Sequence, residues 1–87
     1  MESDASFVAE CFWPDVDDAD LEALDRRIRE ATAGGEGRVR YLGSILFRED
    51  EVVLCQFEGS RDAVRALAER ARIPFERILR TTRASVG

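Results

Sequence analysis

Apolar and polar residues alternate along two runs in the middle of the chain, which is typical of strands. The first run covers residues 38–47 and the second covers 52–58, where Val53, Cys55 and Phe57 share one face. Four charged residues, REDE, separate the two runs at 48–51. Since four consecutive charged side chains are not buried together, the pattern predicts a β-hairpin with this acidic segment as its turn.

A strand and a helix are predicted before the hairpin. Residues 6–13 are rich in aromatic and β-favouring side chains and end at Pro14, which has no N–H to continue a ladder. A helical repeat follows, formed by Leu21, Leu24, Ile28 and Ala31. Asp17 and Asp18 offer carboxylate caps at its start, and glycines at 34–35 end it. Two i,i+4 pairs, Glu22–Arg26 and Asp25–Arg29, are expected along it.

A second helix and a last strand are predicted after the hairpin. The helical repeat consists of Val64, Leu67, Ala68 and Ala71. Ser60 precedes this repeat as a cap, and Pro74 ends it. Residues 76–82 form a weaker pattern, which predicts an edge strand.

The predicted order of elements is β-α-β-β-α-β, an α+β fold. This order is that of the ferredoxin-like fold, in which both helices cover one face of an antiparallel sheet. Right-handed crossovers then predict the strand order 4-1-3-2, with the first and third strands central. The 87 residues are expected to form a single domain, residues 1–87, with an ordered core at about 6–82.

The two central strands predict which residues face the helices. The more apolar set is expected beneath the helices and comprises Phe7, Ala9, Cys11, Val53, Cys55 and Phe57. The opposite set is expected to face outward and comprises Val8, Glu10, Phe12, Leu54, Gln56 and Glu58. Leu42 and Ser44 join the outward set if the second strand keeps register, whereas a slip by one residue exchanges Tyr41 for Leu42. Such an apolar face is expected to be covered by a second copy or a ligand.

Composition excludes several classes of function. The chain has 18 acidic and 13 basic residues, a net charge of −5 and no histidine, which argues against nucleic-acid binding. It lacks the long apolar run of a membrane span and has no signal-peptide pattern at its start. Two cysteines 44 positions apart do not make a disulfide framework, so we expect a cytoplasmic protein without membrane partners.

The residue types also limit the chemistry. Without histidine the chain lacks the commonest general base and the usual nitrogen ligand of transition metals. Cys11 and Cys55 have the same parity on neighbouring strands, so their sulfur atoms are expected close together. Two thiols are an incomplete metal site, and packing as small buried residues is the simpler interpretation. We therefore expect neither a metal nor a cofactor.

Three segments resemble one known family. They are VAECFWP at 8–14, RYLGSILFREDEVVLCQFEG at 40–59 and DAVRALAERARIPFERI at 62–78. This combination is similar to a family of small, stand-alone bacterial ferredoxin-like proteins, most of them of unknown function, that includes a nickel-binding protein. The resemblance implies a homodimer built sheet against sheet, as in dimeric α/β barrels. Nickel binding is not carried over, because this chain has no imidazole.

Glu10 is the one polar residue in an unusual position, on a central strand between aromatic residues. A carboxylate there has three interpretations: a structural ion pair with an arginine, a ligand-binding or acid/base role, or exposure to solvent. Arg40 is a candidate for the balancing charge. The sequence leaves these interpretations open.

Two classes of function follow from these residues. The first is a dimeric binding module that holds a small organic ligand between two sheets, and its candidate ligand-binding residues are Glu10, Phe12, Tyr41, Ser44, Leu54 and Gln56. The second is a cofactor-free isomerase or cyclase with Glu10 as a catalytic acid or base. A stabilising partner of a larger enzyme is a further alternative. The sequence favours binding, since it offers no second catalytic group.

Overall fold

The computed structural model describes residues 5–35 and 37–82. The ends of the predicted domain, residues 1–4 and 83–87, and residue 36 lie outside this range. The elements are β1 (Ala5–Phe12), α1 (Asp18–Ala33), β2 (Arg40–Phe47), β3 (Val52–Gly59), α2 (Arg61–Arg70) and β4 (Arg77–Thr81). This order confirms the predicted β-α-β-β-α-β pattern and the hairpin at the middle of the chain.

The four strands form one sheet in the order β2-β3-β1-β4, and each strand is antiparallel to its neighbours. This is the predicted order 4-1-3-2 read from the opposite edge. The central pair β1 and β3 is in register over its whole length, from Ala5 opposite Gly59 to Phe12 opposite Val52. β4 pairs with β1 only from Ser6 to Glu10, so Cys11 and Phe12 at the end of β1 are paired with β3 alone.

Side-chain caps explain where both helices begin. The Asp17 carboxylate accepts a hydrogen bond from the backbone N–H of Asp20 at 2.7 Å, and the Asp20 carboxylate accepts one from the Asp17 N–H at 3.1 Å. This reciprocal capping box satisfies two backbone donors at the start of α1. The Ser60 hydroxyl accepts from the Ala63 N–H at 3.1 Å at the start of α2. Ser60 is confirmed as the predicted cap of α2, and of the two candidates for α1, Asp17 and Asp18, the cap is Asp17.

One hydrophobic core lies between the sheet and the two helices. The six residues predicted beneath the helices are all buried, and four from the helices join them without exposed surface: Leu24, Ile28, Val64 and Ala68. Full burial of a large aliphatic or aromatic side chain contributes about 1.5–3 kcal/mol. The stability of the domain therefore rests on this single layer.

Arginine side chains from both helices form hydrogen bonds with backbone carbonyls of neighbouring elements. Arg27 of α1 donates to the backbone carbonyls of Ala71 and Arg72 at 3.1 Å each, which satisfies acceptors left open at the end of α2. Arg61 of α2 donates to the carbonyl of Ile78 in β4 at 2.9 Å. These bonds fix α2 against both α1 and the edge strand.

A β-bulge in β2 corrects part of the predicted register. Tyr41 lies opposite Phe57 and Gly43 opposite Gln56, so Leu42 is an extra residue. A bulge of this kind reverses the facing of all residues beyond it. Ser44 therefore faces the helices with Tyr41, so the predictions that Ser44 faces outward and that Tyr41 lines the inter-sheet space are both wrong.

No helix within residues 5–35 and 37–82 is long and apolar enough to cross a membrane.

Gly59 provides a test of the close packing between the end of β3 and the segment that leads into β2. Its φ is +152°, and a Cβ atom there would lie 2.8 Å from the Arg38 carbonyl oxygen. At Gly43 φ is +119°, but a Cβ atom would meet no atom within 4 Å. We expect Gly43→Ala to cost only the backbone strain of about 1–3 kcal/mol. Gly59→Ala should lower the free energy of unfolding by more, because the clash with the Arg38 carbonyl oxygen is added to the backbone strain. Urea unfolding measures both variants, and equal losses of stability would contradict this expectation.

Candidate functional site

Among residues 5–35 and 37–82, no helix or strand covers the sheet face opposite the helices, and we call it the open face. Its strand residues are Ser6, Val8, Glu10, Phe12, Arg40, Leu42, Gly43, Ile45, Phe47, Val52, Leu54, Gln56, Glu58, Arg77, Leu79 and Thr81. Within the described part of the chain, the large hydrophobic side chains that are exposed are Phe12 (53%), Leu42 (40%), Ile45 (44%) and Phe47 (44%). All four belong to the open face.

The apolar residues of the open face are concentrated towards the β2–β3 turn. Val52 lies opposite both Phe12 and Phe47, and Leu54 lies opposite Ile45 in the next row. Directly opposed residues on one sheet face have neighbouring Cβ atoms, so the five side chains form one continuous patch. Contiguous exposed apolar surface of this kind is typical of an interaction site.

Glu10 forms an ion pair at the edge of this patch. The register of β1 with β4 places Arg77 directly opposite Glu10, and the Arg77 Nε–H donates to the Glu10 carboxylate. The carboxylate in turn raises the pKa of Arg77. Arg40 instead donates to Glu58 at 2.9 Å, so the prediction of Arg40 as the balancing charge is wrong. The reason is the antiparallel register, which puts Arg40 across from Glu58.

A concave site of about 280 Å³ lies next to these residues on the open face. Its lining consists of Ser6, Val8, Leu42, Gln56, Phe57, Thr81 and Thr82. The nearly buried Val8 and the exposed Leu42 supply apolar surface, and the amide and hydroxyl groups supply hydrogen-bonding atoms. Gln56 is the one predicted ligand-binding residue that lines it. Glu10, Phe12 and Leu54 share the open face but lie outside the concavity.

Tyr41 and Ser44 belong to a polar network on the other side of the sheet. The Tyr41 hydroxyl donates to the Asp25 carboxylate at 2.8 Å and lies 2.6 Å from the Ser44 hydroxyl. Since Tyr41 has one hydroxyl hydrogen, Ser44 is the donor in the second bond. Arg29 donates to the other Asp25 oxygen at 2.8 Å, and its guanidinium lies 5.8 Å from the centre of the Tyr41 ring. The network fastens α1 to β2.

The electrostatics of this network favour a structural role. Hydrogen bonds from Arg29 and Tyr41 hold the pKa of Asp25 below its usual value. Burial and the neighbouring carboxylate raise the pKa of Tyr41 well above its usual value. At neutral pH the carboxylate is therefore ionised and the phenol is protonated, and neither is poised to exchange a proton. A groove of about 220 Å³ beside them is lined by Leu21, Glu22, Asp25 and Ser44.

Sequence reasoning missed the position of Asp25 in this network. The i,i+4 spacing predicted its pairing with Arg29, which the structure confirms. Its contact with Tyr41 depends on the bulge, whose one signal in the sequence is an isolated glycine, Gly43, inside a strand pattern.

Cys11 and Cys55 are free, fully buried thiols on the helix-facing side of the central strands. A hydrogen bond with Cys55, together with burial, raises the pKa of Cys11. The Cys11 thiol is therefore protonated at neutral pH and a poor nucleophile. Among the residues that the structure describes, no three or more histidine, cysteine, aspartate or glutamate side chains are grouped so as to hold a metal ion.

No family model, curated protein or solved structure was found to match this chain.

The Asp25 network predicts a specific pH dependence. Because the pKa of Asp25 is lower in the folded than in the unfolded chain, its contribution to stability is present above the unfolded pKa, about 3.9. That contribution is lost as the pH falls through the lower folded value. Asp25→Asn should therefore be less stable than wild type at pH 7, by up to about 1 kcal/mol for such a part-exposed pair.

Urea unfolding at pH 7 and at pH 2 measures this difference. The deficit of Asp25→Asn should shrink from pH 7 to pH 2, because the wild-type carboxylate is protonated as the pH falls through its lowered folded pKa. Glu22→Gln, which makes the same charge change on the same helix, serves as the control. A deficit of Asp25→Asn that persists unchanged at pH 2 would show that charge is not its cause.

Proposed function

We propose that the protein is a homodimer, formed open face against open face, that holds a small organic ligand between its two sheets. The observation that carries this proposal is the location of the exposed large hydrophobic side chains. Phe12, Leu42, Ile45 and Phe47 all lie on the face that the helices leave uncovered. The cost of exposing them to water falls when a second apolar surface covers them.

The charges of the open face favour a second copy as the covering surface. The chain as a whole carries −5, so two copies repel each other through most of their surface. The strand residues of the open face carry two carboxylates and two guanidiniums, joined as Glu10–Arg77 and Arg40–Glu58. A contact through this face therefore brings together two surfaces without net charge.

The size of the open face also suits a dimer. Three of the four strands have eight residues, and the sheet measures about 19 Å across four strands and about 26 Å along them. This projected area is about 500 Å², and the relief of the side chains makes the accessible area larger. Stable interfaces bury about 800 Å² on each partner. A stable dimer would therefore bury most of the open face, and little of this face would remain accessible to another protein.

The ligand site in this proposal is the concavity around Val8, Leu42 and Gln56. It opens towards the face that the second copy covers, so dimerisation removes it from solvent. Its described lining residues carry no charge, and their polar groups are the Gln56 amide and the hydroxyls of Ser6, Thr81 and Thr82. This combination suits a small neutral molecule with an apolar body and one group that forms hydrogen bonds.

The geometry favours binding over catalysis. Glu10, the candidate acid or base, already accepts a hydrogen bond from Arg77 and does not line the concavity. The other carboxylate of the open face, Glu58, likewise accepts a hydrogen bond, from Arg40, and no observation favours a role as the stabilising partner of a larger enzyme. The family resemblance, with its sheet-to-sheet dimers, agrees with this proposal, and membership of that family and a cytoplasmic location are parts of it.

The dimer is tested by Ile45→Glu, which places a charge in the apolar patch without touching the core. Sedimentation equilibrium at micromolar concentration should give the wild type twice the 9.8 kDa mass of one chain. Ile45→Glu should give 9.8 kDa with an unchanged circular dichroism spectrum. Ala19→Glu, on the exposed surface of α1, is the control and should remain dimeric. A monomeric wild type, or a dimeric Ile45→Glu, would refute the face-to-face arrangement.

The ligand site is tested with N-phenyl-1-naphthylamine, an uncharged dye that fluoresces in apolar cavities. We expect saturable binding to the wild-type dimer. Thr81→Leu, which fills the concavity from β4, should lose this binding while the mass by sedimentation stays that of a dimer. The monomeric Ile45→Glu should lose it as well. Equal dye binding by wild type and Thr81→Leu would place the dye elsewhere and contradict the proposed site.

A further inference from the structure

The two edges of the sheet differ in how they are protected from pairing with a further strand. β4 forms one edge and has five residues, and its Ile78 carbonyl accepts a hydrogen bond from Arg61 at 2.9 Å. β2 forms the other edge and has eight residues. Because an edge strand presents unpaired N–H and C=O groups, it is a template for another strand. Of the two edges, β2 is the longer template.

The backbone of β2 has groups left for such pairing. In an antiparallel pair, alternate residues bond to the neighbouring strand, and the groups of the residues between them point away from it. In the part of the chain that the structure describes, no backbone atom of residues 43–47 forms a hydrogen bond outside the ladder with β3. The bulge at Leu42 precedes this segment, and the register is regular from Ser44 to Phe47. The segment is therefore a regular strand edge of five residues.

One side of α1 runs along this edge. Arg27 bonds to the end of α2 from the opposite side of the helix, so α2 does not lie between α1 and the edge. On the near side, Asp25 accepts a hydrogen bond from Tyr41 of β2. A groove of about 220 Å³ separates helix and strand, and its lining consists of Leu21, Glu22, Asp25 and Ser44. Every second side chain of a strand added along β2 would point to the side of this groove.

Glu22 leaves a negative charge at the groove without a counter-charge. Asp25 is paired with Arg29, as the i,i+4 spacing predicted. The Glu22–Arg26 pair predicted from the same spacing is not formed, and within residues 5–35 and 37–82 the Glu22 side chain has no ion pair or hydrogen bond. The described lining of the groove contains no basic residue. A basic side chain on an added strand would therefore find an exposed, unpaired carboxylate there.

A second copy of the chain does not supply this basic side chain. If two copies joined through their β2 edges, the side chains brought to the groove side from residues 43–47 would be Ser44 and Leu46, and neither carries a charge. The same contact would put Glu22 of both copies on one side of a continuous sheet, in a chain whose net charge is −5. The charge of the groove therefore favours a different, basic partner.

We propose that the β2 edge binds an extended segment of another protein by strand addition, with an arginine or lysine of that segment in the groove beside Glu22. Hydrogen bonds to the backbone of residues 43–47 supply affinity, and the groove supplies selectivity for the basic side chain. On the other face of the added strand, the flanking side chains lie next to Ile45 and Phe47, which are apolar and exposed. The recognised pattern is a basic residue between two apolar residues.

The experiment is a titration with the peptide acetyl-Thr-Val-Arg-Val-Thr-amide, followed in ¹H–¹⁵N correlation spectra. We expect saturable shifts of the amide signals of residues 43–47, and slower hydrogen exchange at those amides that do not bond to β3. The same peptide with glutamate in place of arginine should bind about tenfold more weakly, because attraction to Glu22 is replaced by repulsion.

Strand pairing is tested with two further peptides, one N-methylated at both valines and the other at the arginine and both threonines. Each lacks the N–H donors that point to one side of the strand, so at least one of them should fail to bind. Peptide binding through side chains alone would tolerate both patterns of methylation.

The groove is tested by Glu22→Lys, a charge reversal at an exposed position. This variant should reverse the preference, so that the glutamate peptide binds more tightly than the arginine peptide. Glu30→Lys makes the same change at another exposed position of α1, outside the described lining of the groove, and should keep the wild-type preference.

Binding at β2 with a preference that reverses in Glu22→Lys and not in Glu30→Lys supports the proposal. Binding that tolerates both methylation patterns, an unchanged preference in Glu22→Lys, or no binding of the arginine peptide overturns it. Wild-type assemblies larger than a dimer whose amides at residues 43–47 are protected without peptide would assign the edge to a second copy, which also overturns it. Edge and groove belong to one chain, so the proposal does not require the open-face dimer.

Discussion

One constraint determines the rest of the structure: both helices cover the same face of the sheet, so the other face has no helix on it. Side chains of a strand alternate between the faces, so burying Phe7, Ala9 and Cys11 against the helices commits Val8, Glu10 and Phe12 to the other side. A central strand in such a sheet has apolar residues on both faces. The domain therefore completes its core on one side and leaves an apolar surface on the other, which is why its function is proposed at that surface.

Polar side chains form different kinds of contact on the two sides of the sheet. On the helix side, Tyr41 forms hydrogen bonds with both Asp25 and Ser44, and these bonds connect α1 to the edge strand β2. On the open face, Glu10 and Glu58 are each matched by an arginine on the neighbouring strand. The pKa of Asp25 is lowered and that of Tyr41 is raised, so at neutral pH the carboxylate is ionised and the phenol is protonated. The described open face thus combines apolar surface with hydrogen-bonding groups that are already fixed by neighbours, and the binding function is proposed on this combination.

The sequence was sufficient for the fold and for the central strands, because both follow from local patterns. Alternation in β1 and β3 is uninterrupted, and Asp17 and Ser60 mark the helix starts. In β2 the alternation also looked uninterrupted, but the extra residue Leu42 reverses the facing beyond it.

The ion-pair partner of Glu10 could not be predicted from the sequence, for a related reason. Its identity depends on the register of β4, which pairs with β1 across a long separation in sequence, and a two-residue slip in that register would leave Arg77 without its partner. Local periodicity predicts faces, whereas sites between elements require their relative positions.

The most direct test of the central claim is an isotope-filtered NOE experiment on a mixture of ¹³C-labelled and unlabelled chains, which detects contacts between copies alone. The account predicts intermolecular NOEs to the methyl groups of Leu42, Ile45 and Leu54 on the open face. It predicts none to Ala19 on the outer surface of α1. Intermolecular NOEs confined to helix methyl groups, or their absence in a sample of dimeric mass, would contradict the claim that the open face is where two copies meet.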